Sequence, residues 1–168
     1  MLHEFYTYGE GLSSVLKALA DAHELLADQG TLIIRDMILH NYTKKADFKD
    51  KYLVEKIKAK TGIMKLVESF EKTFGTLDNH HTINHFLLKY MYENNWDREL
   101  LENYVAVTFE QYEKIFDLLD MRVQYKESYL IDYLKNLWMN DFGLSEEDTA
   151  LYKSTGILVA KKEISRTY

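Results

Sequence analysis

Apolar positions recur along this chain mostly at helical spacing and in three places at strand spacing. Leu12, Val15, Leu16 and Leu19, continued by Ala22 or His23 and by Leu25 and Leu26, mark one face of an amphipathic helix. Gly30 is placed to end that helix as its C-cap glycine. Thr31-Leu32-Ile33-Ile34 follows, apolar at consecutive positions, which predicts a strand buried on both faces that runs out into the charged pair Arg35-Asp36. Met121-Arg122-Val123-Gln124-Tyr125-Lys126 alternates with period two and predicts a strand at the sheet's edge, with one face in the core. Ile157-Leu158-Val159-Ala160 predicts a second fully apolar strand. A helix feeding a buried strand implies an α/β layer.

Between these segments the signals are helical. Phe48, Tyr52, Leu53 and Ile57 outline one helix, which Thr61-Gly62 interrupts. Ile63, Leu66, Val67, Phe70 and Phe74 outline the next, stopped by Gly75. Asn79 can cap a helix carrying Ile83, Phe86, Leu87, Tyr90 and Met91, closed by Asn94-Asn95. Asp97 can cap a short helix with Leu100, Leu101 and Tyr104, and Thr108 with Gln111 forms a capping box ahead of Phe109, Tyr112, Ile115, Phe116 and Leu119. Leu130, Leu134, Leu137 and Trp138 give a further stripe closed by Gly143, and Ser145 before Glu146, Glu147 and Asp148 starts a last short turn. Tyr6 to Gly11 reads as loop, and Met1 to Phe5 as the last residues of a strand whose beginning lies outside the sequence.

Composition narrows the classes. At 168 residues and 46% hydrophobic content the chain can bury one well-formed core, and the absence of repeats or linkers predicts a single domain, residues 1–168. Zero cysteines excludes disulfides, thiol catalysis and cysteine-ligated metal. Zero prolines lets helices run unbroken. No apolar run is long enough to span a bilayer and no signal peptide is visible, so a soluble, cytoplasmic protein is expected. The net charge of −6 argues against generic nucleic-acid binding. Lys44 to Lys65, with eight lysines against three acidic residues, is the one basic segment, read as a solvated helix face or as a phosphate-binding patch.

The order helix, LLADQGTLIIRD, helical insertion, capped helix, alternating strand and STGILVAKK resembles the C-terminal half of class I, Rossmann-like, S-adenosylmethionine (AdoMet)-dependent methyltransferases. The resemblance implies strands equivalent to the family's fifth, seventh and sixth, in that spatial order, with Met1 to Phe5 as a stub of the fourth. It assigns residues 1–42 and 105–162 to the methyltransferase-like part and 43–104 to a helical insertion. The family's pro-gly-gly turn is here Ala27-Asp28-Gln29-Gly30, where the glycine matches and the proline does not. The family's glycine-rich cofactor turn and its acidic cofactor contacts would precede Met1. Gly9-Glu10-Gly11 follows no strand and reads as loop, so no cofactor-binding residue is assigned.

Candidate chemistry is sparse. His3 and Glu4 could serve as base and orienter, a frayed terminus being the alternative. Arg35 and Asp36 stand where open α/β sheets place ligands, with a salt-bridged strand end as the alternative. His81 and His85 share a helix face as zinc-binding pairs do, but neither the glutamate of H-E-x-x-H nor another carboxylate accompanies them, so no metal site is assigned. Trp96, Glu99 and Tyr104 suit a substrate lid, or a capped helix with Trp96 as core.

Two functional classes follow from the resemblance: a truncated methyltransferase-like protein acting through protein contacts as a regulator or inhibitor, or a half-enzyme that methylates when another chain supplies the AdoMet-binding half. A homodimer or heteromer through the strand 31–36 edge and the helix 12–26 is expected.

Overall fold

The computed structural model describes residues 2–40 and 47–164; Lys44 and Lys45 of the basic segment lie outside them. The elements in chain order are α1 (Leu2–Tyr8), α2 (Leu12–Leu25), β1 (Thr31–Asp36), α3 (Phe48–Ala59), α4 (Met64–Phe74), α5 (His80–Lys89), a 3-10 segment (Tyr90–Asn95), α6 (Trp96–Glu99), α7 (Phe109–Leu118), β2 (Met121–Tyr129), α8 (Asp132–Phe142), α9 (Glu146–Ala150) and β3 (Thr155–Lys162). The chain is helix-rich with one small antiparallel sheet, an α/β protein. It divides into two units: Met1–His40 with Asn103–Tyr129 and Thr155–Tyr168, and Asn41–Glu102 with Leu130–Ser154. Residues 130–154 thus fall in the same unit as residues 41–102.

In the first unit the strand order is β1-β3-β2, with β3 antiparallel to both neighbours. Val15 and Leu19 of α2, Phe109, Tyr112 and Phe116 of α7, and Ile34, Leu158 and Ala160 of the sheet form one buried cluster. Gly156 opens β3 because a Cβ there would lie 2.6 Å from both Cβ and O of Ile38 and 2.9 Å from the ring of Phe109.

Several expectations change. Leu2 to Phe5 is no strand stub, because Leu2–Tyr8 is helical and turns its His3, Tyr6 and Thr7 side inward, while Met1 lies outside the described residues. Five residues cannot separate a period of two from one of 3.6. α2 ends at Leu25 rather than at Gly30, and Leu25 is 88% exposed. The left-handed residue of the turn is Gln29 (φ 62°), and Gly30 is needed because a Cβ there would lie 2.7 Å from the carbonyl oxygen of Ala27.

β1 is covered on one face only: Ile34 and Asp36 are buried, whereas Ile33 is 66% exposed. β2 runs to Tyr129, and a bulge between Val123 and Tyr125 breaks its alternation. Val123 pairs with buried Ala160, but Tyr125 pairs with Val159 on the opposite face, beside Ile33.

In the second unit three caps fix helix starts. Asp47 and Asp50 close a capping box on α3, Asn79 accepts from the Thr82 N–H, and Ser145 with Asp148 boxes α9. Phe70, Phe86, Leu87 and Trp138 are fully buried, and the Trp138 Nε1–H donates to the Leu87 carbonyl at 3.2 Å. Asp97 does not cap a helix, since α6 begins one residue earlier at Trp96. Among the described residues no helix is long and apolar enough to cross a membrane.

Phe116 and Trp138 are each 0% exposed, one in each unit. Truncating either to alanine is expected to cost about 3–5 kcal/mol, read as a lowered thermal midpoint. An unchanged midpoint in either variant would remove that residue from the core.

Candidate functional site

Two of the candidate residues meet at the C-terminal end of β1. The backbone N–H of His3 donates to Asp36 Oδ2 at 3.0 Å, and His3 Nδ1 lies 2.5 Å from Asp36 Oδ1. The Met37 N–H donates to the same Oδ1 at 2.8 Å. Side-chain exposure is 4% for His3 and 3% for Asp36, so the pair is screened from solvent. Burial pushes the Asp36 carboxyl up, but the His3 side-chain and backbone hydrogen bonds and charge, with the Met37 N–H, outweigh it and hold the group below its ordinary value of 3.8.

Around the pair lie Tyr104, whose ring centroid is 5.4 Å from the imidazole at 57°, and Tyr112, whose phenol burial and then the Asp36 charge push up. Together with Met37, Ile38 and Val107 these residues close on one another with no cavity between them. Chemically this is an oriented imidazole. A carboxylate fixes Nδ1, leaving Nε2 as the nitrogen through which proton transfer would pass.

The pairing differs from the one the sequence suggests. Glu4 is exposed on α1 and does not orient His3; Asp36 does. Arg35 points to the other face of the sheet, where its Nε–H donates to the Tyr129 hydroxyl at 3.2 Å. The lid segment is divided, because Trp96 and Glu99 belong to the helical unit and Tyr104 to the other. Trp96 is half-buried, with its Nε1–H donating to Ser69 Oγ at 2.7 Å. Glu99 is buried, and its carbonyl accepts from the Lys89 ammonium at 2.5 Å.

Helix α5 carries a polar ladder of its own. His80 Nδ1 lies 3.2 Å from Asp50 Oδ1, and its ring stacks on Tyr152 at 4.5 Å. The Tyr152 hydroxyl donates to the same Asp50 oxygen at 2.5 Å. His81 leaves Nδ1 without a hydrogen-bond partner. His85 packs edge-on against Phe70 and Phe74, and burial, then the Lys89 charge, holds its imidazole well below its ordinary value. Lys89 is 0% exposed, and burial brings its ammonium down to about 8 against the opposing pull of Glu99 and Glu102. Among the described residues no group of three His, Asp or Glu could hold a metal.

Sequence reasoning missed Asp50 and Lys89. The first is signalled by the Asp47-x-x-Asp50 spacing of a capping box, the second by its place on the His81 and His85 face at intervals of four. A cleft of about 430 Å³ in the same unit is lined by Leu66, Tyr90, Tyr133, Leu137 and Asp141; Asp141 accepts from the Tyr90 hydroxyl at 2.9 Å and faces the Lys60 ammonium at 3.1 Å.

Gly9 and Gly11 join α1 to α2 rather than following a strand, and a Cβ on Gly9 would lie 2.3 Å from Ser14 Oγ, so the turn is packed against its own chain. The acidic group at the end of β1 is taken up by His3 and Met37.

Asp36 sets a pH dependence. Because its folded value is lowered, its stabilisation is complete above about 3.8 and is lost as pH falls through the lowered value. Asp36→Asn is expected to cost about 1–3 kcal/mol near neutrality, with the gap to the unsubstituted chain closing in acid when both are unfolded by urea across that range. A gap independent of pH would show that the carboxylate charge is immaterial. Lys89 has the opposite sign of cost: its lowered value means stability rises with pH between about 8 and 10.5, and Lys89→Met should abolish that rise.

Compared with protein-family models, curated proteins and solved structures, the chain gives no match.

Proposed function

We propose that this chain is a methyltransferase-like protein that transfers no methyl group by itself and acts through protein contacts, as a regulator or inhibitor. The observation that carries the reading is the sheet. A last strand, antiparallel to both neighbours, lies between β1 and β2, which themselves run parallel. An arrangement of this kind supports the reading, because the resemblance implies a local order five, seven, six. Gly9 and Gly11, which join two helices and follow no strand, are consistent with contact-making rather than catalysis.

A second reading has one specific observation in its favour. The buried His3–Asp36 pair at the C-terminal end of β1 is the sort of oriented base a methyl acceptor needs for deprotonation. A half-enzyme completed by another chain would use it, with AdoMet bound on that other chain.

Titration calorimetry of the 168-residue chain with AdoMet separates this proposal from an autonomous enzyme. No saturable heat is expected. A dissociation constant in the low micromolar range that Asp36→Asn abolishes would show a cofactor site within this chain and overturn the contact-making reading.

A further inference from the structure

Among the described residues β1 ends the sheet, with β3 on one side and no strand on the other. Which of its backbone groups face the open side follows from one hydrogen bond: the Lys162 N–H donates to the Gly30 carbonyl at 2.9 Å. In the register Thr31↔Lys161, Ile33↔Val159 and Arg35↔Ile157, Gly30 stands opposite Lys162, so that position is a hydrogen-bonded pair. Antiparallel pairs alternate, which makes Leu32, Ile34 and Asp36 the residues bonded to β3. The N–H and C=O groups of Thr31, Ile33 and Arg35 therefore face away from it, and all three side chains are exposed.

We infer that β1 pairs antiparallel with β1 of a second copy of this chain, with Ile33 on the two-fold axis. This names the partner for the contact-making reading above and rests on it. Three constraints select the register. A two-fold axis perpendicular to the sheet keeps core face with core face, so a residue must pair with one of its own parity. Only Thr31, Ile33 and Arg35 present outward backbone groups. Centring on Arg35 would set two guanidinium groups opposite each other, and centring on Thr31 would leave most of the strand unpaired.

Centring on Ile33 sets Ile33 against Ile33 and Thr31 against Arg35 of the second copy, in both directions, for about six inter-strand hydrogen bonds. No like charges stand directly opposite.

Side chains agree with the backbone. On the outer face Tyr125, Val159 and Ile33 already form one row across three strands, and Ile33 and Tyr125 are 66% and 49% exposed. The two-fold continues that row through a second Ile33 into a second Val159 and Tyr125, making a six-stranded sheet. On the core face Leu32 falls opposite Ile34 of the second copy. Neither proline nor lysine, the residues that usually blunt an open edge, occurs in Thr31–Asp36.

The chain has no cysteine, so a single introduced thiol reports the register. Ile33→Cys brings its sulfur beside its own copy, within disulfide reach, whereas Thr31→Cys leaves the two thiols ~14 Å apart, four residues along the strand. Sedimentation equilibrium should give a dimer for the unsubstituted chain. Under mild oxidation the Ile33→Cys variant should cross-link at least tenfold faster than Thr31→Cys, and Ile33→Lys, which alters an exposed side chain, should sediment as a folded monomer.

A monomer at tens of micromolar, or a dimer in which both thiols cross-link at equal rates, overturns the inference. These outcomes are independent of the AdoMet titration: a monomer that binds no AdoMet defeats self-pairing alone, and a chain that binds AdoMet defeats the contact-making reading whatever its oligomeric state.

Discussion

β3 is the constraint on which the first unit depends. β1 and β2 share no hydrogen bonds, so each is a strand only because β3 lies between them. The consequences reach beyond the sheet. At one end of β3 the absent side chain of Gly156 lets Ile38 and Phe109 close over the strand, and at the other Lys162 reaches back to α2. Its ammonium donates to the carbonyls of His23 and Leu26, both at 2.9 Å, where the helix has run out of its own donors. A cation at that end also opposes the helix dipole, a contribution on the order of 0.3–1 kcal/mol. The end of α2 is thus capped by a residue far along the chain.

That long reach explains what could be read in advance. α4, α5 and α7 were legible because their signals are local: an apolar stripe, with the Asn79 cap for α5 and the Thr108–Gln111 box for α7. Gly30 was read as the helix C-cap, but the backbone turns extended already at Leu26, and Gly30 serves the turn beyond it. The faces of β1 were misread because consecutive apolar residues fit a strand covered twice or an edge strand with one exposed isoleucine. Only the partner on the far side decides between them. Tyr125 was assigned by alternation that the bulge at Gln124 interrupts, and no residue type at that position announces a bulge.

The site was legible as residues and not as pairs. His3, Asp36 and Tyr104 were each nominated, yet in different groupings, since sequence proximity joined His3 to Glu4 and Asp36 to Arg35. Adjacent strand residues point to opposite faces, which is why Arg35 finds Tyr129 while Asp36 finds His3. The helical unit repeats the lesson. Asn84 is 1% exposed and uses both ends of its amide on the backbone of Lys153, donating at 2.8 Å and accepting at 2.9 Å, so a polar residue on an apolar stripe serves as a clamp.

Where bonding capacity remains unused separates the two functional readings. A general base in an enzyme needs an approach for its substrate, whereas His3 and Asp36 are enclosed, and the carboxylate spends its lone pairs on the His3 side chain, the His3 backbone and Met37. Buried polar groups that satisfy one another in this way stabilise a single arrangement of the chain around them. The backbone of Thr31, Ile33 and Arg35 is the opposite case. Its donors and acceptors are turned outward beside an exposed apolar row, and water satisfies them only by keeping that row wet. Pairing that edge removes apolar surface from water while replacing each lost water contact with an inter-strand bond, so hydrogen bonding need not oppose the hydrophobic gain. The same exchange at the His3–Asp36 pair would break satisfied buried bonds before any new one formed. The self-pairing proposed above draws on that edge and leaves the satisfied His3–Asp36 pair intact.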